Sequence, residues 1–316
     1  MMVLPRDFVV THDGLAFAVV DDVIEDGRVL GTLRYAPDGQ RLRKLGSEDA
    51  EALLRDRYPA YRYYSARLDV SLHAVPESQV LTHHSARARL SEFWRAGGGD
   101  ALQSRLVRLL RVFAGHGLAP SSLGISGSLL IGAHGAGSDL DLVAYDRRDF
   151  DRARAIIARA LESGEFDPLA EDDWRDAYAR RGCELSYAEY VWHERRKDNK
   201  AMYEGTKFDL SLVTCRGDDV GAVPWRKLGG AHLRATVVDA SASFDYPASY
   251  RIDDPDISEI VAYSQTYAGQ ARDGESIDVA GIVEQDAAGR RRLIVGAGRE
   301  ARGAYLRVVA AGAPGR

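Results

Sequence analysis

Gly124-Ile125-Ser126-Gly127-Ser128 and, ten residues further on, Ser138-Asp139-Leu140-Asp141-Leu142 decide how the middle of this chain folds. A short apolar run ends at a Gly-Ser pair, a glycine-rich stretch follows, and two carboxylates then alternate with leucines. Strand side chains repeat every two residues, so Asp139 and Asp141 share one face and Leu140 and Leu142 the other. Carboxylates this close repel one another unless a cation lies between them. Oxygen ligands of this kind suit Mg2+ or Mn2+. The Gly-Ser turn offers backbone N–H groups to a phosphate. A metal and a phosphate together point to phosphoryl or nucleotidyl chemistry.

Around this stretch the pattern is mixed. Upstream, residues 85–117 read as helical, with Leu102, Leu106, Leu109, Leu110 and Phe113 forming an apolar stripe. Downstream, Asp146 to Ser163 reads as an amphipathic helix and Asp172 to Asn199 as a further helical segment. Lys207-Phe208-Asp209-Leu210-Ser211-Leu212-Val213 then alternates as a strand and carries a third carboxylate. The N-terminal segment looks β-rich: Phe8–Thr11, Leu15–Val20 and Arg28–Tyr35 are separated by Asp13-Gly14 and Asp26-Gly27 turns. Ser47 is the expected N-cap of a following helix, and Leu68–Leu72 a further strand.

Beyond about His232, short strands separated by turn residues begin at Ala235, Tyr250, Glu259, Ser276, Arg292 and Tyr305. That spacing predicts a small antiparallel barrel or sandwich, compatible with an oligonucleotide-binding fold. Residues 310–316 read as a frayed tail. The expected class is therefore α+β in three parts. An N-terminal α+β module (1–90) precedes a catalytic domain (91–230), and a small β-barrel (231–316) follows.

Composition narrows the rest. With 316 residues, 45% hydrophobic and 28% charged, the chain can build real cores and is not of the disordered class. Its net charge of −5 gives no global basic signature for nucleic acid, which leaves local patches open. Two cysteines, Cys183 and Cys215, are too few for a disulfide framework and read as buried thiols in a reducing compartment. No apolar run is long enough to span a bilayer, and the N-terminus lacks the apolar core of a signal peptide. The expectation is a cytoplasmic protein with no membrane partner.

Ser126-Gly127-Ser128, ten intervening residues, Asp139-Leu140-Asp141-Leu142, and a later strand bearing Asp209 resemble the signature of the DNA polymerase beta-like nucleotidyltransferase superfamily. The likeness covers about residues 100–230, and the whole layout is similar to predicted nucleotidyltransferases common in archaea. It implies that Asp139 and Asp141 bind divalent ions bridged by nucleotide phosphates. Asp209 would complete the catalytic metal site, and Gly127 and Ser128 would hold the phosphates of an incoming NTP. In the glycine-rich spacer, His134 is the only polar candidate near the acids, where other members carry an Arg or similar group. The acceptor hydroxyl would belong to an RNA or DNA end; the alternatives are a protein side chain as acceptor, or a nucleic-acid-binding module built on a degenerate fold of this type, against which the intact Asp139, Asp141 and Asp209 argue.

The run His193 to Lys200 is the remaining strong signal. Arg196, Lys197 and Lys200 are candidates to grip a triphosphate or a nucleic-acid backbone, against the plainer reading of a solvated helix end. His83-His84 lacks acids at ligand spacing and reads as a surface pair. Tyr58, Tyr61, Tyr63 and Tyr64 read as packing residues more readily than as base-stacking ones.

Overall fold

The structure is a computed structural model that describes residues 2–135, 137–214, 224–296 and 303–309. Cys215 and the expected tail lie outside them. The chain divides into two compact units: residues 1–66, 70–168 and 199–219 form the first, and 67–69, 169–198 and 220–316 the second.

The first unit begins with a seven-stranded sheet. Its strands are β1 (Phe8–Thr11), β2 (Ala16–Glu25), β3 (Arg28–Asp38), β4 (Arg41–Lys44), β5 (Arg62–Ser65), β6 (Val70–Pro76) and β7 (Val80–His84). They pair in the order β5-β6-β3-β2-β1-β7, with β4 beside β3. Asp26 and Gly27 adopt φ of 51° and 67°, the left-handed pair that a tight hairpin between twisted strands needs. Phe17, Leu33, Val75 and Tyr61 pack in the core of this sheet together with Leu54 of helix α1 (Ser47–Arg57). Gly46, not Ser47, is the N-cap of α1, and it makes no side-chain capping bond, so Ser47 is simply the first helical residue.

The single helical stretch expected over 85–117 is two helices, α2 (Ala86–Ala96) and α3 (Ala101–Gly115). Gly97 and Gly98 take φ of 75° and 90°, ending α2, and the Asp100 carboxylate caps α3 by accepting from the Gln103 N–H. After α3 come β8 (Leu123–Ile125), the one-turn helix α4 (Gly127–Leu130), β9 (Leu140–Ala144) and α5 (Arg147–Ser163). Strands β10 (Lys200–Tyr203) and β11 (Thr206–Leu212) complete a four-stranded sheet in the order β10-β11-β9-β8. Along β11, Phe208, Leu210 and Leu212 are buried and the residues between them only half so, the signature of a sheet with one covered face. Phe208 packs edge-on against Phe113 of α3 and Phe166.

The second unit contains α6 (Glu171–Ala179) and α7 (Tyr187–Arg195), two helices where one helical segment was expected. Ser186 and Glu189 form a reciprocal capping box that starts α7 afresh. Six strands follow: β12 (Arg226–Asp239), β13 (Ala248–Ile252), β14 (Glu259–Ala262), β15 (Ser276–Gln285), β16 (Arg291–Val295) and β17 (Tyr305–Val308). The order β12-β13-β14-β16-β15 returns to β12 through ten register pairs between β12 and β15, so five strands close into a barrel. Strand β17 adds along β15. The protein is therefore α+β, with a barrel in its C-terminal region as expected, though not the wholly antiparallel one expected: β14 and β16 pair parallel. Among the described residues no helix is long and apolar enough to cross a membrane.

Candidate functional site

The parallel pairing of β9 with β11 sets the site. Asp141 and Asp209 are register partners, with Leu142 and Leu210 following as the next pair. Residues in register on adjacent strands point to the same face, so the two carboxylates stand abreast. Leu140, Leu142, Phe208 and Leu210 are buried on the opposite face, which locks this register: a one-residue slip would turn the leucines outward. Asp139 lies one pleat before Asp141, and Lys207 one pleat before Asp209. Their side chains meet, Lys207 Nζ to Asp139 Oδ2 at 2.6 Å. Lys200 is the register partner of Asp209 on the antiparallel strand β10 and shares the same face.

The glycine-serine turn sits against this face. The Ser126 N–H donates to the Asp141 carbonyl at 2.8 Å. Gly127 follows with φ of 66°, and a Cβ placed there would lie 1.9 Å from Asp141 Oδ2. The backbone therefore comes up to the carboxylate where no side chain fits. Ser128 is the next residue of the one-turn helix, half-buried.

Asp141 keeps some solvent-exposed surface although protein surrounds it on most sides. Burial pushes its carboxyl up to about 7; the neighbouring charge of Asp209 adds to this, as does that of Asp139, while Arg6 and Lys44 pull the other way. A proton on Asp141 relieves the repulsion, and so would a divalent cation. Three carboxylates on one face are a hard oxygen donor set that suits Mg2+ or Mn2+. Among the described residues no three ligating side chains are already drawn into a cage, and Asp139 is turned to Lys207.

The sequence-predicted residues are thus divided. Asp139, Asp141, Asp209, Gly127, Ser128 and Lys200 all belong to the first unit, with the acids and Gly127 gathered together. Arg196 and Lys197 belong to the second unit and are committed there. Lys197 is 2% exposed, and its ammonium donates to Glu194 Oε1 at 2.5 Å and to the Thr266 carbonyl at 2.7 Å. Arg196 pairs with Glu275 and lies over the Trp192 ring, 4.3 Å from its centroid. What reads as a solvated basic run is structural inside that unit, because the turn that ends α7 directs these side chains onto Glu194, the Thr266 carbonyl and Glu275. His134 Nε2 meets Asp100 at 2.8 Å, and His83 Nε2 meets Asp7 at 2.8 Å.

Sequence reasoning missed Lys207, Arg6, Arg34 and Lys44. Lys207 carried a readable signal, since it alternates with Asp209. Arg6, Arg34 and Lys44 act on Asp141 from the N-terminal sheet, across a separation that no local pattern encodes.

No family model matches the chain, and no solved structure matches it. An "Uncharacterized protein MJ1086" from Methanocaldococcus jannaschii is 32% identical over 339 aligned positions, which cover 98% of this chain and 99% of that protein. The chain belongs to the same family as this archaeal protein.

Proposed function

We propose that the protein is a metal-dependent nucleotidyltransferase, which transfers a nucleoside monophosphate from an NTP to an acceptor hydroxyl and releases pyrophosphate. The observation that carries the reading is the in-register pair Asp141–Asp209, with Asp139 on the same face and Gly127 pressed against the Asp141 carboxylate.

Asp139, Asp141 and Asp209 would hold Mg2+ or Mn2+. Bound there, the cation would supply positive charge to the oxygens of an in-line displacement at phosphorus. The protein's own residues do the positioning. Gly127 and Ser128 present backbone N–H groups where the phosphates approach, and the missing side chain at Gly127 leaves the approach open. Asp209, beside the acceptor, accepts the hydroxyl proton as the acceptor oxygen bonds to the α-phosphorus; the bond to the bridging oxygen breaks, and pyrophosphate leaves. Lys200, sharing the face of Asp209, would add a positive charge on the acceptor side of the site. The acceptor we favour is the end of an RNA or DNA strand.

The test is transfer of α-labelled nucleotide from each NTP, with Mg2+ and with Mn2+, to RNA, DNA and protein acceptors. Wild type should transfer the label, and Asp141→Asn and Asp209→Asn should lose it by 1000-fold or more, on the order expected when the metal site is lost. A wild type that neither transfers nor binds any nucleotide sinks the proposal.

A further inference from the structure

We propose that the outer face of α7 seats one nucleotide of a single-stranded nucleic acid, its base stacked on Trp192 and its phosphate held by Arg195. The site lies wholly within the second unit and does not depend on the carboxylates of the first.

The helix repeat builds it. Residues four apart on a helix lie on one face, so Tyr187, Val191 and Arg195 form one row, and Trp192 with the C-cap residue Arg196 begins the next. With Glu171, the first residue of α6, they line a pocket of about 490 Å3, within the range of sites that hold small ligands. The inner face of α7 buries Tyr190, His193 and Glu194. A helix that only covers its neighbours keeps its outer face polar. This one instead presents an indole, with Trp192 42% exposed.

The indole is held in place by its neighbours. The buried His193 ring stands perpendicular to it, 4.7 Å between centroids, and the Arg196 guanidinium lies 4.3 Å from its centroid. Arg196 is fixed in turn: Nη2 pairs with Glu275, and its carbonyl accepts from Arg272 at 3.1 Å. A platform ordered in advance loses little freedom when a ligand stacks on it. The other terminal nitrogen of Arg196, Nη1, is buried and has no hydrogen-bond partner. That donor has lost water without gaining an acceptor, and an oxygen brought into the pocket by a ligand would supply one.

Charge selects the occupant. At the rim, Glu171 is taken up by Arg175 at 2.9 Å, and Arg175 also lies over the Tyr187 ring, 4.9 Å from its centroid. Among the described residues no carboxylate pairs with Arg195, which leaves a cation beside the aromatic surface. An acidic peptide would answer Arg195 and leave the indole bare; an apolar one would cover the indole and leave Arg195 unanswered. A nucleotide brings a flat π face and an anion together. Every nucleotide has both, so RNA and DNA single strands of one sequence should bind alike, whereas a duplex has its base faces already stacked.

The experiment titrates a fluorescein-labelled single strand of about eight nucleotides, as RNA and as DNA, into the full chain, and reads anisotropy at several salt concentrations. EDTA keeps cations from the carboxylates. Wild type should bind both strands, and the matching duplex more weakly. Trp192→Ala should weaken binding about tenfold with the salt dependence unchanged, and Trp192→Phe should recover most of the loss. Arg195→Gln should weaken binding and flatten the slope of log K against log salt by about 0.7, one phosphate contact fewer. Thermal melting checks the fold of each variant, and Arg195→Gln carries the test should Trp192→Ala fail to fold. The seat is refuted if wild type binds no single strand, if Trp192→Ala and Arg195→Gln both bind as wild type does, or if a labelled polyglutamate peptide binds in place of the strands. Loss of the nucleotidyltransferase reading shows separately, as absence of label transfer from a protein that still binds the strands through Trp192.

Discussion

Replacing Gly127 by Ala puts the contact between the turn and Asp141 to a direct test. The added Cβ would stand 1.9 Å from Asp141 Oδ2, 3.0 Å from its Cγ and 3.4 Å from its Cβ. An ordinary contact of about 3.4 Å requires the carboxylate oxygen to retreat by about 1.5 Å, the difference between 3.4 and 1.9 Å. Two costs follow. An L-residue at φ of 66° loses about 1–2 kcal/mol wherever it sits, and forcing a side chain into the filled space adds about 1–3 kcal/mol. Gly132→Ala separates them, because Gly132 has φ of 69° but nothing within 4 Å of the added carbon. For a unit of this size, Gly127→Ala should therefore melt about 2–12 °C below Gly132→Ala. Label transfer should fall at least about 100-fold in Gly127→Ala, since a displacement of about 1 Å at a reacting centre costs that much. Thermal melting and single-turnover transfer on the two variants read both effects. If the two melt together and transfer alike, the carboxylate is not held against the turn and the reasoning about this site is wrong.

Burial pulls His193 down to about 4, and its Nε2 accepts from the Val308 N–H at 3.1 Å, so Nδ1 is the nitrogen that donates to the Glu189 carbonyl at 2.7 Å. Because the folded value lies below the ordinary 6.5, the unfolded chain binds a proton that the folded chain refuses. The contribution of His193 to stability is then full above pH 6.5 and drops by about 3 kcal/mol as pH falls toward 4; because the raised carboxyl of Asp141 works in the opposite sense over the same range, the measure is the difference in urea-unfolding stability between wild type and His193→Gln, which should shrink by about that amount as pH falls. Lys197→Met should destabilise by about 3–5 kcal/mol by stranding the Glu194 charge, and Lys197→Met/Glu194→Gln should recover most of it. Neither of those variants should change KM for the nucleotide, and a rise in KM in both would return Lys197 to the phosphate site. Lys207→Gln frees Asp139 and should lower the Mg2+ concentration for half-maximal transfer about fivefold, the size of a partly buried ion pair of about 1 kcal/mol; an unchanged or higher requirement would place Lys207 on the substrate side.

The carboxylate face was legible because it depends only on period. Alternation about Leu140, Leu142, Phe208 and Leu210 put all three acids on one side, and short-range glycine and Asp-Gly turns marked the strand ends. The barrel was legible from strand spacing, though β12 starts earlier than its pattern suggests. Its first half, Arg226 to Arg234, is polar on the outside and carries Gly229 and Gly230 in place of apolar residues, so it lacks the alternation that announces a strand. Charge runs misled in the opposite direction. A string such as Arg196-Lys197 looks solvated until a helix axis and a buried acid are known, and both are tertiary facts. The arginines of the N-terminal sheet left no local trace, since Arg6 meets Ser126 across some 120 positions of chain.

The two units interleave along the chain, which constrains how the protein can be taken apart. Residues 169–198 leave the first unit, serve the second, and hand the chain back to the first at 199 for β10 and β11. A fragment cut near 230 would keep Asp209 but strand α7 without the Val308 amide that His193 accepts and the Thr266 carbonyl that Lys197 reaches. The complementary barrel fragment would lose the opening of β12, which pairs with β15, and the helix that covers its own last strand. A cut at that point therefore leaves neither half with all the partners its own unit uses.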